Sequence, residues 1–296
     1  MEGRTRGKMH LEKRKTMKAY AKINISLDII GKQENGYHLL EMVMQTVDLY
    51  DEITIEEREE GITLDCNLDY IPKDSKNIAY KAAAVMLERF GIDRGVHITI
   101  LKRIPVAAGL AGGSTNAAAV IKGMNDLFGL GLSREEMMEI GLTLGADVPY
   151  CIVGGTALCT GIGEVVKPLQ PFSGVTVLLV KPAFGVSTKD AYMGFALDKV
   201  KKHVETAKLI KAMERRQIRS VAYYMRNLLE NVTLRKHPIL KTVKSNMMEH
   251  GAVGTLMSGS GPTVFGIFED DALAEIAEKF FREKYREVYL TRTISV

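Results

Sequence analysis

The chain has no tryptophan and only three cysteines among its 296 residues. Cys66, Cys151 and Cys159 are odd in number, scattered, and never in a Cys-x-x-Cys arrangement. A disulfide framework or a zinc site is therefore not expected, and a reducing cytoplasm fits such cysteine usage. Long apolar runs are also missing. None approaches the roughly 20 residues that cross a bilayer, so no membrane partner is expected. The N-terminus has no hydrophobic signal region, which makes cytoplasmic the expected location. The body of the chain lacks any excess of charge. The formal net charge is +4, and residues 1–16 carry all of it, with Arg4, Arg6, Lys8, Lys13, Arg14 and Lys15 against Glu2 and Glu12. A nucleic-acid-binding domain carries its positive excess on the folded body, so nucleic acid is not an expected partner. Residues 1–16 read as a disordered basic leader or extension, with Met17 a natural start. His10, His97, His203, His237 and His250 show no ligand spacing and read as surface residues, so no metal-ligating side chains are assigned. No feature of the sequence sets the oligomeric state.

What is present is a 46% hydrophobic composition, ample for a sizeable core and for two domains, placed at 17–170 and 171–296. Residues 21–29 alternate, with Ile23, Ile25, Leu27 and Ile29 on one face and Lys22, Asn24, Ser26 and Asp28 on the other. That pattern predicts a strand with one buried face. A Gly36-Tyr37-His38 turn follows, then strands over 42–49 and 52–56, a helix over 75–90 and a strand over 97–101. Residues 102–113 read as a loop and 114–128 as a helix. Ser133 with Glu136 forms a capping box for a helix running to about Leu144. Residues 154–164 predict a hairpin. Beyond Pro168 and Pro171 come a buried strand over 175–180 and helices over 189–197, 205–229 and 237–250. A turn at 258–262, a strand over 263–268, a helix carrying Leu273, Ile276, Ala277, Phe280 and Phe281, and a last strand near Val288 complete the chain. The second half thus reads as an α+β unit with an antiparallel sheet.

The segment Gly109-Leu110-Ala111-Gly112-Gly113-Ser114-Thr115-Asn116 is a glycine-rich loop running into a helix that starts at Ser114. Helix N-termini offer unpaired N–H groups and the positive end of the macrodipole, and glycines let a phosphate approach the backbone. No lysine precedes Ser114, so this is not a Walker A loop, and the dinucleotide spacing fails as well. The protein-kinase signatures His-Arg-Asp and Asp-Phe-Gly are absent. Read alone, such a loop is structural as readily as functional.

With the preceding Pro105, the loop resembles the Pro-x-x-x-Gly-Leu-x-[Gly/Ser]-[Gly/Ser]-Ser signature of the GHMP kinases, which include galactokinase, homoserine kinase and mevalonate kinase. Ala21-Lys22-Ile23-Asn24 resembles the first motif of that superfamily, and Met257-Ser258-Gly259-Ser260-Gly261-Pro262-Thr263-Val264-Phe265 its third. Gly36-Tyr37-His38 and Leu142-Thr143-Leu144-Gly145-Ala146-Asp147-Val148-Pro149 narrow the resemblance to the branch that phosphorylates 4-diphosphocytidyl-2-C-methyl-D-erythritol in the non-mevalonate isoprenoid route. The similarity runs from Met17 onward. Ala111 stands where many relatives carry Gly, and Asn116 where they often carry Asp, so no metal role is assigned to Asn116.

The resemblance implies a two-domain α+β fold, with an N-terminal domain like ribosomal protein S5 domain 2 and a ferredoxin-like C-terminal domain. It implies ATP and Mg²⁺, with Pro105, Gly109, Leu110, Ala111, Gly112, Gly113, Ser114 and Thr115 at the ATP phosphates. The ion would be held chiefly by phosphates, Ser114 and water. From its neighbours alone Asp147 reads as a helix-ending or capping aspartate; the resemblance makes it the group that accepts the substrate hydroxyl's proton, with Lys22 set against it. It likewise implies that Tyr37 stacks on the cytosine, that His38 reads its edge, and that Tyr192 covers its other face. Asn24 and Thr188 are implied at the methylerythritol or phosphate region. The turn at 258–261 is implied as support behind the phosphate loop. Another GHMP kinase acting on homoserine or mevalonate is the nearest rival, and the Tyr37-His38 pair opposes it because neither substrate carries a base. A nucleic-acid module using residues 1–16 as an arm is the rival from another class. A catalytically dead nucleotide binder is opposed by the presence of both Lys22 and Asp147.

Overall fold

The computed structural model describes residues 13–34 and 36–296. Its elements are, in chain order, β1 (Arg14–Lys32), β2 (His38–Arg58), β3 (Ile62–Cys66), α1 (Ile78–Arg89), β4 (Gly95–Leu101), α2 (Gly112–Phe128), α3 (Arg134–Leu144), α4 (Val148–Val153), β5 (Thr156–Gly161), β6 (Val165–Pro168) and β7 (Thr176–Lys181). There follow α5 (Thr188–Met193), a single 3₁₀ turn, α6 (Thr206–Glu214), α7 (Ile218–Tyr224), β8 (Arg226–Asn227), α8 (Glu230–Lys236), α9 (Ile239–Glu249), β9 (Gly254–Met257), β10 (Val264–Phe268), α10 (Asp271–Arg282) and β11 (Glu287–Arg292). No helix among the described residues is long and apolar enough to cross a membrane.

Two sheets carry the fold. The first has the order β3-β4-β2-β1-β8, with β5 paired to β2 and β6 to β5. Strand β2 spans 21 residues without a break, where the sequence predicts two strands. It stays intact because β1 pairs along most of it, while its other edge is shared by β5 at residues 40–45 and β4 at residues 52–58. The second sheet is wholly antiparallel in the order β11-β7-β10-β9, which is 4-1-3-2 counted along the chain, the ferredoxin-like arrangement. The sheets share cores. Leu27, Met44 and Tyr150 of the first half pack with Leu178, Val264 and Phe281 of the second, and Ile23 and Ile25 pack with Val177 and Phe265. Helices α1 and α2 cover β2 and β4 through Ala82, Met86, Ala117 and Ala118 against Ile53 and Ile98.

Several expectations are corrected. Most of the expected leader, residues 1–12, lies outside the described residues, but 14–16 belong to β1, with Arg14 opposite Glu56 and Thr16 opposite Thr54. The helix expected from Ser114 begins at Gly112, because Ala111 turns the chain with φ 56° and ψ 28°. The helix expected over 205–229 breaks at Arg216, whose φ is 52°, and again where β8 joins β1. Asn227 there is buried and gives its side-chain amide to the carbonyls of Met257 and Gly259, each at 2.7 Å. The capping box stands as read: Ser133 Oγ accepts from Glu136 N at 3.2 Å, and Ser133 N donates to Glu136 Oε2 at 2.8 Å.

The largest correction concerns β1. Its polar face is buried as deeply as its apolar one, with Lys22, Asn24, Ser26 and Asp28 all nearly inaccessible. Alternation marks one face as apolar; it cannot reveal that another part of the chain covers the other. Buried polar groups persist only when hydrogen-bonded, and each of these has partners. Val43 N donates to Ser26 Oγ at 3.2 Å. Asp28 accepts from Ile29 N at 2.8 Å, from Val204 N at 2.7 Å and pairs with the His203 ring at 2.9 Å. Replacing Asp28 by Ala strands the Val204 N–H and should lower stability by about 1–3 kcal/mol. Asp28→Asn keeps an acceptor and should lose less. Urea denaturation of the two variants gives the order, and equal loss in both would contradict it.

Candidate active site

The phosphate loop is held from three directions. Lys22 N donates to Leu110 O at 3.2 Å, which fixes the loop to β1. Ser258 Oγ donates to Gly109 O at 3.0 Å and accepts from Asn24 N at 3.3 Å, so the turn before β10 clasps both loop and strand. Asp51 Oδ1 accepts from Arg103 N at 2.7 Å and Ile104 N at 2.8 Å at the loop's entrance. Gly109 has φ +75°, and a Cβ there would run into the carbonyl of Ser258, so only glycine fits. Ala107 and Ala111 also sit at positive φ, 51° and 56°, a strained setting for L-residues.

Helix α2 has no side-chain cap at Ala111. Among the described residues, the N–H groups of Gly112, Gly113 and Ser114 have no protein acceptor, which leaves them and the helix dipole directed at whatever occupies the cleft. Pro105, Gly109, Ala111, Gly112, Gly113 and Ser114 all line a cleft of about 1170 Å³. The Leu110 and Thr115 side chains, expected with them, do not. Leu110 is buried in the core, and Thr115 faces a small cavity on the far side of α2 beside Met17 and Tyr150.

Lys22 and Asn24 meet in the same cleft. Irregularities in β1 at Tyr20/Lys22 and Asn24/Ser26 bracket the pair, the kind of local twist that re-aims side chains. Lys22 Nζ donates to Asn24 Oδ1 at 2.7 Å and lies 3.6 Å from Asp147 Oδ2. Asp147 is the residue before α4, but it makes no capping hydrogen bond with its side chain. The capping reading therefore fails, and the carboxylate instead faces the ammonium. The next three residues fix its place. Val148 and Pro149 are buried, and Tyr150 Oη donates to Gly155 O at 2.7 Å and lies 3.0 Å from Thr46 Oγ1, which pins α4 to β2. Burial, reinforced by the Asp147 charge and opposed by Lys22, pushes the nearby Cys159 thiol up to about 12, so this sulfur stays protonated and inert.

A second group of lining residues surrounds His38. Its ring stacks on Tyr192 at 5.4 Å and meets Phe195 edge-on at 6.1 Å. Burial, with help from Lys32, holds the imidazole below its ordinary range. Tyr37, expected with Tyr192 on opposite faces of a base, stands 60% exposed at the cleft's rim, and His38 is the ring in contact with Tyr192. Thr188 lies 3.1 Å from Ser260 across the cleft wall. A third group, Ile71, Pro72, Ile78 and Ile100, forms an apolar lobe next to Gly113.

Sequence reasoning missed one charged cluster at this site. Asp51, fully buried, accepts from Lys102 Nζ and, at 2.8 Å, from Asn116 Nδ2, and both donors line the cleft. In the sequence Lys102 opens the 102–113 loop and Asn116 closes the glycine-rich segment, but no local pattern joins either to Asp51. Among the described residues no group of three His, Cys, Asp or Glu side chains could hold a metal.

A cleft that presents free helix N–H groups beside a lysine–carboxylate pair can hold a phosphate next to a group able to accept a proton. Comparison with known proteins agrees. Residues 77–155 match the family model for the GHMP kinases N terminal domain, and residues 209–287 that for the GHMP kinases C terminal. The chain belongs to the GHMP kinases, ATP-dependent phosphotransferases. It is 56% identical over 277 residues to a 4-diphosphocytidyl-2-C-methyl-D-erythritol kinase of Clostridium botulinum (strain Kyoto / Type A2), covering 94% of this chain and 99% of that protein. It is 56% identical over 282 residues to the protein of that name from Clostridium perfringens (strain ATCC 13124), covering 94% and 98%. The crystal structure of a 4-(cytidine 5'-diphospho)-2C-methyl-D-erythritol kinase superposes with a TM-score of 0.83 at 30% identity, covering 95% of this chain and 100% of that one.

The Gly109 contact generates a test. Gly109→Ala adds both a positive-φ penalty and a clash with the Ser258 backbone, and should cost about 2 kcal/mol or more in stability while weakening nucleotide binding. Thermal unfolding with and without ATP reads both effects. An alanine variant as stable as the parent, with unchanged ATP-induced stabilisation, would contradict the clasp.

Proposed function

We propose that this protein transfers the γ-phosphoryl group of ATP to the tertiary 2-hydroxyl of 4-diphosphocytidyl-2-C-methyl-D-erythritol. The observation that carries this reading is one cleft that joins the free N–H groups of α2, the Lys22–Asp147 pair and the aromatic group at His38. The shared name of relatives at 56% identity supports the same substrate.

Phosphoryl transfer asks the protein mainly for alignment and charge neutralisation. In this reading the apolar lobe of Ile71, Pro72, Ile78 and Ile100 receives the ATP base. The N–H groups of Gly112, Gly113 and Ser114 hold its phosphates, with Pro105, Gly109 and Ala111 shaping the loop. Asp147 Oδ2 takes the proton of the attacking hydroxyl, while Lys22, braced by Asn24, orients the carboxylate and offsets negative charge as it builds on the phosphoryl oxygens. Asn24 and Thr188 contact the branched polyol and its phosphates. His38 and Tyr37 take the cytosine, with Tyr192 against it; a base on an aromatic ring contributes roughly 1–3 kcal/mol. Neutral His38 can both donate to and accept from the base edge, which its depressed pKa favours. Residues 17–170 act as the ATP-binding unit and 171–296 as the C-terminal unit.

Mg²⁺ fits this donor set only as a nucleotide-borne ion. Asp51 is saturated by protein donors and Asp147 is engaged with Lys22, which leaves Ser114, phosphate oxygens and water to surround the ion. When bound, it neutralises phosphate charge.

Asp147→Asn should lower kcat at least ~10²-fold, the scale of losing acid–base help, with little change in KM for ATP. Steady-state assays with the cytidine substrate measure it, alongside homoserine and mevalonate as competing acceptors. Near-normal turnover by the variant would remove Asp147 from its role. Turnover of homoserine or mevalonate without turnover of the cytidine compound would overturn the substrate.

A further inference from the structure

A Walker A loop carries its phosphate-binding lysine within the loop, and the sequence here places none between Gly109 and Ser114. The fold brings one to the loop from just past the preceding strand. Lys102 is the first residue after β4, and its side chain is almost wholly buried, yet it lines the cleft beside the loop. A Cβ on Gly112, the first residue of α2, would lie 2.8 Å from Lys102 Nζ. The ammonium thus sits at the same helix N-terminus that offers the free N–H groups. Its backbone is pinned as well, since Lys102 N donates to Asn67 Oδ1 at 2.7 Å and Asn67 Nδ2 donates to Lys102 O at 3.2 Å.

The carboxylate that holds this lysine is fully spent. Asp51 is 0% exposed, and its two oxygens accept from Arg103 N, Ile104 N, Asn116 Nδ2 and Lys102 Nζ. An ammonium has three donors, and Asp51 is the only protein acceptor of Lys102 Nζ among the described residues. Burying an ion pair is costly, and hydrophobic replacement is often neutral or stabilising, so a pair such as this is weak evidence for stability alone. Its position at the loop points to use.

We propose that Lys102 is a further phosphate-binding residue, its spare N–H groups directed at a nucleotide phosphate beside Gly112, and that Asp51 and Asn116 are positioning residues that aim it. This role rests on the ATP-dependent transfer proposed for the cleft. Lys22 and Lys102 then divide the work. Lys22 faces Asp147 at the hydroxyl end of transfer, and Lys102 binds the nucleotide beside Gly112. Asp51 also ties Arg103 and Ile104 to α2 through Asn116, so the cation and the N–H groups move as one body.

The test compares nucleotides with and without phosphate. In the full-length protein, Lys102→Met is combined with Asp51→Asn to leave a neutral pair. The Asp51→Asn side chain keeps an oxygen for the Arg103 and Ile104 N–H groups and turns its amide to Asn116, which can flip to accept it. Calorimetry should show ATP and ADP bound about 10- to 100-fold more weakly, the scale of one charge-assisted hydrogen bond, with adenosine within about twofold of the parent. A purely structural role would move adenosine and ADP together, or neither, and either result overturns the proposal. Should the double variant not fold, Lys102→Arg decides. It retains charge and the Asp51 pair but carries a wider head, and should raise KM for ATP by about threefold or more while adenosine affinity and KM for the acceptor hold. An unchanged KM for ATP, or equal shifts for ATP and adenosine, counts against it. Turnover by the parent protein is assayed in the same series. A parent that transfers no phosphate from ATP defeats the functional reading itself, whereas an active parent with indifferent variants defeats only the role of Lys102.

Discussion

The contact between the phosphate loop and the turn before β10 is the constraint on which the rest of the molecule depends. Gly109 abuts the backbone of Ser258, whose hydroxyl bridges Gly109 O and Asn24 N. That single serine joins the loop, the strand bearing Lys22 and Asn24, and the sheet of the second half. The turn is itself held from behind by the buried amide of Asn227. With no side-chain cap on α2 and with Ala107 and Ala111 at positive φ, the loop is not a conformation its own residues prefer. Left-handed alanine costs roughly 1–2 kcal/mol per residue, and the surrounding hydrogen bonds offset that cost. The result is a row of N–H groups that stay unpaired because the fold, not the ligand, holds them in place.

Charge in the cleft follows from the same architecture. Two lysines are buried at its wall, each beside a carboxylate and an amide: Lys22 contacts both Asp147 and Asn24, whereas Lys102 contacts Asp51, to which the Asn116 amide also donates. The two arrangements differ in one respect. Asp51 is inaccessible and fully hydrogen-bonded, whereas the Asp147 side chain is 36% exposed and makes no other hydrogen bond among the described residues. The first is suited to hold a cation in place and the second to meet a substrate. Burial of the thiol at Cys159 removes a competing nucleophile from this neighbourhood.

Much of this was legible in the sequence where a residue's role is local. The Ser133–Glu136 capping box, the glycine-rich loop ahead of a helix and the antiparallel second sheet all rest on short-range patterns, and all are present. The hairpin expected over 154–164 forms further along, pairing 157–160 with 165–168. The resemblance to the GHMP kinases supplied the pairing of Lys22 with Asp147 across 125 positions, which no periodicity could give. What stayed hidden is tertiary. Alternation in β1 showed one apolar face, but the covering of Asp28 by Val204 and His203 comes from 175 residues away. Asp51 looked like one more charged residue between two strands until Lys102 and Asn116 converged on it. The contact of His38 with Tyr192 also stayed hidden, because it depends on the turn before β2 presenting the second ring to α5 and the first to solvent.

Transfer of the γ-phosphoryl group of ATP onto one tertiary hydroxyl is tested most directly by phosphorus NMR. The purified protein is observed with ATP, Mg²⁺ and 4-diphosphocytidyl-2-C-methyl-D-erythritol. A new phosphomonoester resonance on the C2 oxygen, growing in step with ADP while the cytidine diphosphate resonances persist, is the expected result. ADP accompanied only by inorganic phosphate, or no ADP at all, would contradict it.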